Sequence, residues 1–195
     1  YLSSVEFKPE QLKLSNDINE IVAYADVVIF AVPSAFIGGE LAKLTASLEN
    51  KLIISAIKGI MPESGKLVGD HFHNVYNIPF ENIGVIAGPC HAEEVALERL
   101  SYLTIACADK ENAKLVAKNL SSDYIKCTSS DDIIGIEYAA TLKNIYAIVC
   151  GMAQAVKVGE NTQGFLLTRS LAEMSRFAVH MGANPLTFIG LAGMG

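Results

Sequence analysis

The chain has 195 residues, of which 51% are hydrophobic and 18% are charged, and its formal net charge is −6. This length can bury a sizeable core, as one large domain or as two small ones. The acidic balance argues against a general nucleic-acid binder, because the sequence contains no concentrated basic stretch. Apolar runs such as VVIFAV are too short to cross a bilayer, and no signal peptide opens the chain. We therefore expect a soluble globular protein without a transmembrane segment.

The four cysteines favour neither a disulfide framework nor a metal site. They are far apart in the sequence, without a C-x-x-C pair or a neighbouring histidine cluster: Cys90, Cys107, Cys127 and Cys150. We therefore expect reduced thiols, no bound metal and a cytoplasmic location.

Strand and helix patterns alternate through the first two-thirds of the chain. Five short runs rich in β-branched residues are typical of buried strands: DVVIFAV (26–32), LIISAI (52–57), IGVIAG (83–88), YLTIACA (102–108) and YIKCT (124–128). A short helix capped by Asp17 is expected before the first strand. Further helices are expected between the strands: one reaching about Leu48, and others over 64–73, from CHAEEVA, and over Lys110–Leu120. This order predicts an α/β fold with a parallel sheet.

Three turns of the predicted sheet carry residues suited to a ligand site. Pro33, Lys58 and Gly88 each follow one of the first three strands. Ligands of open α/β sheets bind beyond the carboxyl ends of the strands. We therefore expect these three turns to lie at one edge of the sheet and to form part of a binding site.

The pattern becomes wholly helical from about Ser129. Asp131 or Asp132 is expected to cap a long apolar helix, and a second helix over 164–181 is expected to end at Gly182. The final LAGMG is expected to be a glycine-rich turn. The sequence thus predicts an α/β domain over residues 1–128 and a helical domain over 129–195.

The long helix, IIGIEYAATLKNIYAIVCG, has a lysine and an asparagine side by side in its apolar middle. Helical neighbours of Lys143 one turn away include Ala140 and Ala147. Lys143 is therefore attached to a helix face that would otherwise pack into a core. If Lys143 faces a cleft, loss of water lowers its pKa and makes the amine available as a general base. Alternatively, Lys143 lies at the helix edge and reaches solvent.

Six motifs together resemble the NAD(P)-dependent glycerol-3-phosphate dehydrogenases, in that family's order and spacing over essentially the whole chain. They are AVPS, IKGI, AGPCHAEEVA, IGIEYAATLKNIYAI, GENTQGFLLTRSLAEM and TFIGLAGMG. The resemblance implies a Rossmann-type doubly wound parallel sheet followed by the start of an all-α substrate domain. It also implies that the family's first strand and glycine fingerprint are missing before Asp26, and that its later serine-arginine-asparagine motif is missing after Gly195. Such a piece alone is expected to be inactive.

The resemblance further implies an activity and its partners. The family transfers hydride between NAD or NADP and a small substrate, interconverting dihydroxyacetone phosphate and sn-glycerol 3-phosphate, which feeds glycerophospholipid synthesis. A homodimer is compatible with this assignment, and the choice between NADH and NADPH stays open. The alternatives are another Rossmann-plus-helical dehydrogenase, acting on 3-hydroxy acids or 6-phosphogluconate, and a non-catalytic fragment.

By the same resemblance, two lysines are expected to be catalytic. Lys143 resembles the lysine that exchanges a proton with the C2 oxygen of the substrate. Asn144 is similar to the family's substrate-binding asparagine. Lys58 resembles the second essential lysine, which contacts both substrate and cofactor, and a cation there would stabilise the developing alkoxide.

The resemblance also assigns roles to five residues near the strand ends. Gly88 and Cys90 correspond to substrate-binding positions, and Ala92 corresponds to a cofactor-binding position. Cys90 departs from the family, which usually has serine or threonine there, so that a hydroxyl donor is replaced by a weaker thiol donor. Pro33 and Phe36 are expected to wall the nicotinamide pocket.

Overall fold

The computed structural model describes residues 7–194 and contains one five-stranded sheet in the order of the chain. Its strands are β1 Val27–Phe30, β2 Leu52–Ser55, β3 Ile83–Ala87, β4 Ser101–Cys107 and β5 Ile125–Ser130. Strands β1, β2 and β3 run parallel, and so do β4 and β5. The predicted α/β class with a Rossmann-type sheet is confirmed.

The expectation of a fully parallel sheet is wrong at one pairing, because β3 and β4 are antiparallel. The helix between them, α4 Ala92–Ala96, has five residues and is only about 7.5 Å long. A parallel connection must carry the chain back along the whole strand. Instead, Glu98 adopts a positive φ of 54°, and the amide of Tyr102 donates to the carbonyl of Pro89 at 3.1 Å. Strand β4 therefore begins beside the end of β3.

The other helices of this half are α1 Ile18–Tyr24, α2 Ser34–Leu41, α3 Val68–Tyr76 and α5 Lys110–Leu120. As expected, Asp17 caps α1, and its side chain accepts from the amide of Asn19 at 2.9 Å. Helix α2 ends at Leu41 and does not reach Leu48. The side chain of Asn19 accepts from the amides of Thr45 and Ala46, which holds the following segment as a loop.

The remainder is helical, with α6 Ile133–Ala155, α7 Glu160–His180 and α8 Leu191–Met194. Asp132 caps α6 and accepts from the amide of Gly135 at 2.9 Å. Helix α7 is followed by Gly182 at a positive φ of 98°. The predicted glycine-rich turn is instead the single helical turn α8. Gly195 and residues 1–6 lie outside the described residues. Residues 1–6 belong to the segment before Asp26 in which no strand is predicted.

Small residues of α6 let this helix approach the carboxyl end of the sheet. Ala139 and Ala140 are buried in one apolar cluster with Val85 and Ala87 of β3 and Met174 of α7. A separate cluster joins the first strands to α2 and α3. Because alanine side chains are short, the backbone of α6 lies close to the end of β3, and this closeness sets the position of the middle of α6.

Among the described residues, α6 is the one helix whose length and hydropathy would suffice to cross a membrane. Its buried side chains are concentrated in its first half, and 28% of its most apolar stretch is buried. That half packs on β3 and carries the buried carboxyl group of Glu137. The first half of α6 therefore belongs to the core.

Candidate active site

The turns after β1 and β2 contact each other at the carboxyl edge of the sheet. Gly59 has a positive φ of 136°, and a Cβ added to it would lie 2.7 Å from the Oγ of Ser34. Only glycine fits this approach without displacing Ser34. The contact places the turn that carries the exposed Lys58 against the start of α2.

Helix α6 is attached to the same turn. The Oγ1 of Thr141 donates a hydrogen bond to the carbonyl of Gly59 at 3.3 Å. Because Lys58 precedes Gly59 and Lys143 follows Thr141 by two residues, this contact draws the two predicted catalytic lysines towards one place.

Lys143 is partly buried, and its pKa lies below the ordinary lysine value. Burial is the larger cause, because it disfavours the charged ammonium. The positive charge of Lys58 lowers the pKa further. Both effects increase the fraction of neutral amine, the form that accepts a proton.

Lys143 and Asn144 line a cleft of about 470 Å³ between α6 and the two helices that follow. Its other lining residues are Tyr146, Ala147 and Cys150 of α6, Leu167, Thr168, Ser170, Leu171 and Met174 of α7, and Gly193 of α8. The pKa of Tyr146 is raised, first by burial and then by the negative charge of Glu173 on α7. The cleft is therefore mostly apolar, with an amine and an amide at one side.

The predicted residues near the end of β3 do not line this cleft. Cys90 is partly buried and Ala92 is exposed at the start of α4. Gly88 has a positive φ of 140°, and a Cβ there would collide with the carbonyl oxygen of Tyr102. The helix that follows Gly88 is the five-residue α4, which carries only a small dipole. Phe36 is 64% exposed on α2.

Within residues 7–194, no group of three or more His, Cys, Asp or Glu side chains is arranged to hold a metal ion.

The comparison with known families shows to which family the chain belongs. Residues 1–113 match the family profile described as the N-terminus of NAD-dependent glycerol-3-phosphate dehydrogenase, and residues 132–195 match its C-terminus. The chain belongs to the NAD-dependent glycerol-3-phosphate dehydrogenase family. The resemblance predicted from the six motifs is confirmed.

Curated glycerol-3-phosphate dehydrogenases [NAD(P)+] are similar along the whole chain. The protein of Ectopseudomonas mendocina is 40% identical over 195 residues, which are 100% of this chain and 56% of the relative. The protein of Oceanobacillus iheyensis is 38% identical over 96% of this chain and 55% of its own length. The chain thus spans about half the length of the curated relatives it matches.

Solved glycerol-3-phosphate dehydrogenases share the fold. The crystal structure from Coxiella burnetii superposes with a TM-score of 0.85 at 28% identity, over 100% of this chain and 59% of that one. The structure of the enzyme from Dunaliella salina superposes with a TM-score of 0.83 at 28% identity. The match covers 92% of this chain and 32% of that one.

Sequence reasoning missed Glu137, which is 1% exposed on α6. Its Oε1 accepts from the amides of Val68 at 2.8 Å and Gly69 at 3.2 Å, both at the start of α3. Burial raises the pKa of this carboxyl group to about 7 against the lowering effect of the two amides. The available signal was a single acid among apolar residues in IGIEYAA, six residues before Lys143.

Proposed function

We propose that the protein interconverts dihydroxyacetone phosphate and sn-glycerol 3-phosphate by hydride transfer with NAD or NADP. One observation carries this proposal: in a chain of this dehydrogenase family, Lys143 borders a cleft with its pKa lowered by burial and by Lys58. We also propose that the chain is divided into an α/β domain, residues 1–128, and the start of a substrate domain, residues 129–195.

Lys143 moves the proton of the reaction. During reduction its ammonium form donates a proton to the C2 oxygen of the ketone, and during oxidation its neutral amine takes the proton back. NAD or NADP, when held at this site, would provide the chemistry of hydride transfer at C2. Lys58 stabilises negative charge as it develops on that oxygen, where the exclusion of water strengthens the attraction. The amide of Asn144 orients the substrate in the cleft.

The residues at the sheet edge fit a dinucleotide. Pro33 and the aromatic ring of Phe36 are exposed there and offer an apolar wall for a planar ring. Lys58 offers a cation towards an anionic cofactor, and Ala92 lies at the start of α4. These four residues would hold NAD or NADP.

The turn after β3 would complete the substrate site. Gly88 presents bare backbone, and Cys90 offers a weak thiol donor in place of a hydroxyl. We further propose a cytoplasmic enzyme that acts on a small phosphorylated substrate, supplies glycerophospholipid synthesis and assembles as a homodimer.

Substrate choice tests this function. We expect the intact protein to oxidise NADH or NADPH with dihydroxyacetone phosphate, and to reduce NAD or NADP hardly at all with 6-phosphogluconate or 3-hydroxybutyrate. The change in NAD(P)H absorbance measures each rate under matched conditions. Comparable rates with the competing substrates would contradict the proposal and favour a different Rossmann-plus-helical dehydrogenase.

A further inference from the structure

Glu137 and Thr141 form two polar contacts on one face of α6. They are four residues apart and therefore point to the same side of the helix. Thr141 bonds to the carbonyl of Gly59, and Glu137 accepts from the amides of Val68 and Gly69. The two contacts hold opposite ends of one segment, residues 59–69, which begins directly after Lys58.

The carboxyl group of Glu137 is buried. It takes part in none of the four ion pairs described for residues 7–194. Burial, and to a lesser extent the nearby carboxylate of Asp70 on α3, together raise its pKa to about 7. An ionised group in such a place is costly, whereas a hydrogen-bond acceptor satisfies two amides at the start of α3 that have no partner within the helix. The acceptor oxygen, more than the charge, explains why a glutamate lies here.

The geometry points to Glu137 as a positioning residue for Lys143. Lys143 lies less than two turns farther along α6, and Lys58 lies at the near end of the segment that Glu137 and Thr141 hold. By fixing α6 to the start of α3, Glu137 sets the separation of the two lysine amines. The kinetic test of this inference rests on the proposed function. A second measurement, the chemical labelling of Lys143, does not depend on that function.

The kinetic test compares three variants of the intact protein. In Glu137→Leu the acceptor is lost, and we expect kcat to fall on the order of 10- to 100-fold, because small misplacements of a catalytic group cost that much. The KM for NADH should change little. Glu137→Gln keeps an acceptor oxygen and should restore kcat. Ile136→Ala, the control, creates a cavity beside Glu137 and should lower Tm without lowering kcat of the folded enzyme.

A wild-type kcat in folded Glu137→Leu would overturn the inference, and so would a Glu137→Gln variant as impaired as Glu137→Leu. If Glu137→Leu does not fold, Gly69→Ala replaces it. The added methyl would lie 3.1 Å from the Oε2 of Glu137, and alanine suits helix α3 better than glycine. For Gly69→Ala we expect an unchanged Tm and a fall in kcat that is smaller than the one expected for Glu137→Leu. An unchanged kcat in Gly69→Ala would contradict the positioning role of Glu137.

The second readout is the reactivity of Lys143 towards acetic anhydride as a function of pH, followed by mass spectrometry of its peptide. Glu137→Leu should move the titration of Lys143 to higher pH, and Glu137→Gln should not. If the wild-type protein does not reduce dihydroxyacetone phosphate, the proposed function fails while this labelling still decides the positioning role. An identical titration in all three proteins would overturn it.

Discussion

Replacing Lys143 by alanine is expected to lower kcat of the intact enzyme by about a hundredfold or more, with cofactor affinity nearly unchanged. General acid and base groups typically contribute that much to the rate. The methyl side chain can neither give nor take the proton at the C2 oxygen. Steady-state kinetics with dihydroxyacetone phosphate, together with NADH binding by calorimetry, would measure both quantities.

Two further variants sharpen this result. Lys143→Arg keeps the positive charge but cannot deprotonate, so kcat should stay low. Lys118→Ala removes an exposed lysine of α5 and should leave kcat unchanged. A near-normal kcat in Lys143→Ala would mean that this amine only reaches solvent from the edge of α6.

The Gly88→Ala variant should lose about 2–4 kcal/mol of folding stability, because the new Cβ meets the carbonyl of Tyr102 in a backbone conformation that disfavours side chains. For a chain of this size, Tm should then fall by about 5–15 °C. Thermal unfolding followed by circular dichroism measures the shift.

The matched control is Gly39→Ala in α2, where an added Cβ meets no other atom within 4 Å. Alanine favours the helix there, so Tm should hold or rise. If Gly88→Ala unfolded at the wild-type temperature, the close approach of β3 and β4 at Gly88 would be wrong.

Much of the fold could be predicted because local sequence determines it. Continuous β-branched runs located all five strands, and apolar periodicity located α6 and α7. Asp17 and Asp132 marked helix starts through their own side-chain hydrogen bonds. The parallel arrangement of the first three strands placed Pro33, Lys58 and Gly88 at the same edge of the sheet.

The rest depends on contacts between distant segments. The direction of β4 depends on how short α4 is and on the turn at Glu98, and strand periodicity reads the same in either direction. The end of α2 depends on Asn19, more than twenty residues earlier. The buried partners of Glu137 lie 68 and 69 residues away, so no local pattern could reveal them.

The most direct test of the account is the pKa of the Lys143 amine in the intact protein, with Lys58 present and in Lys58→Met. Acetic anhydride labelling across a pH series measures the pKa for that one residue. The account predicts a pKa below the ordinary lysine value, and a rise in Lys58→Met that stops short of that value because burial remains. An ordinary lysine pKa that is the same in both proteins would contradict it.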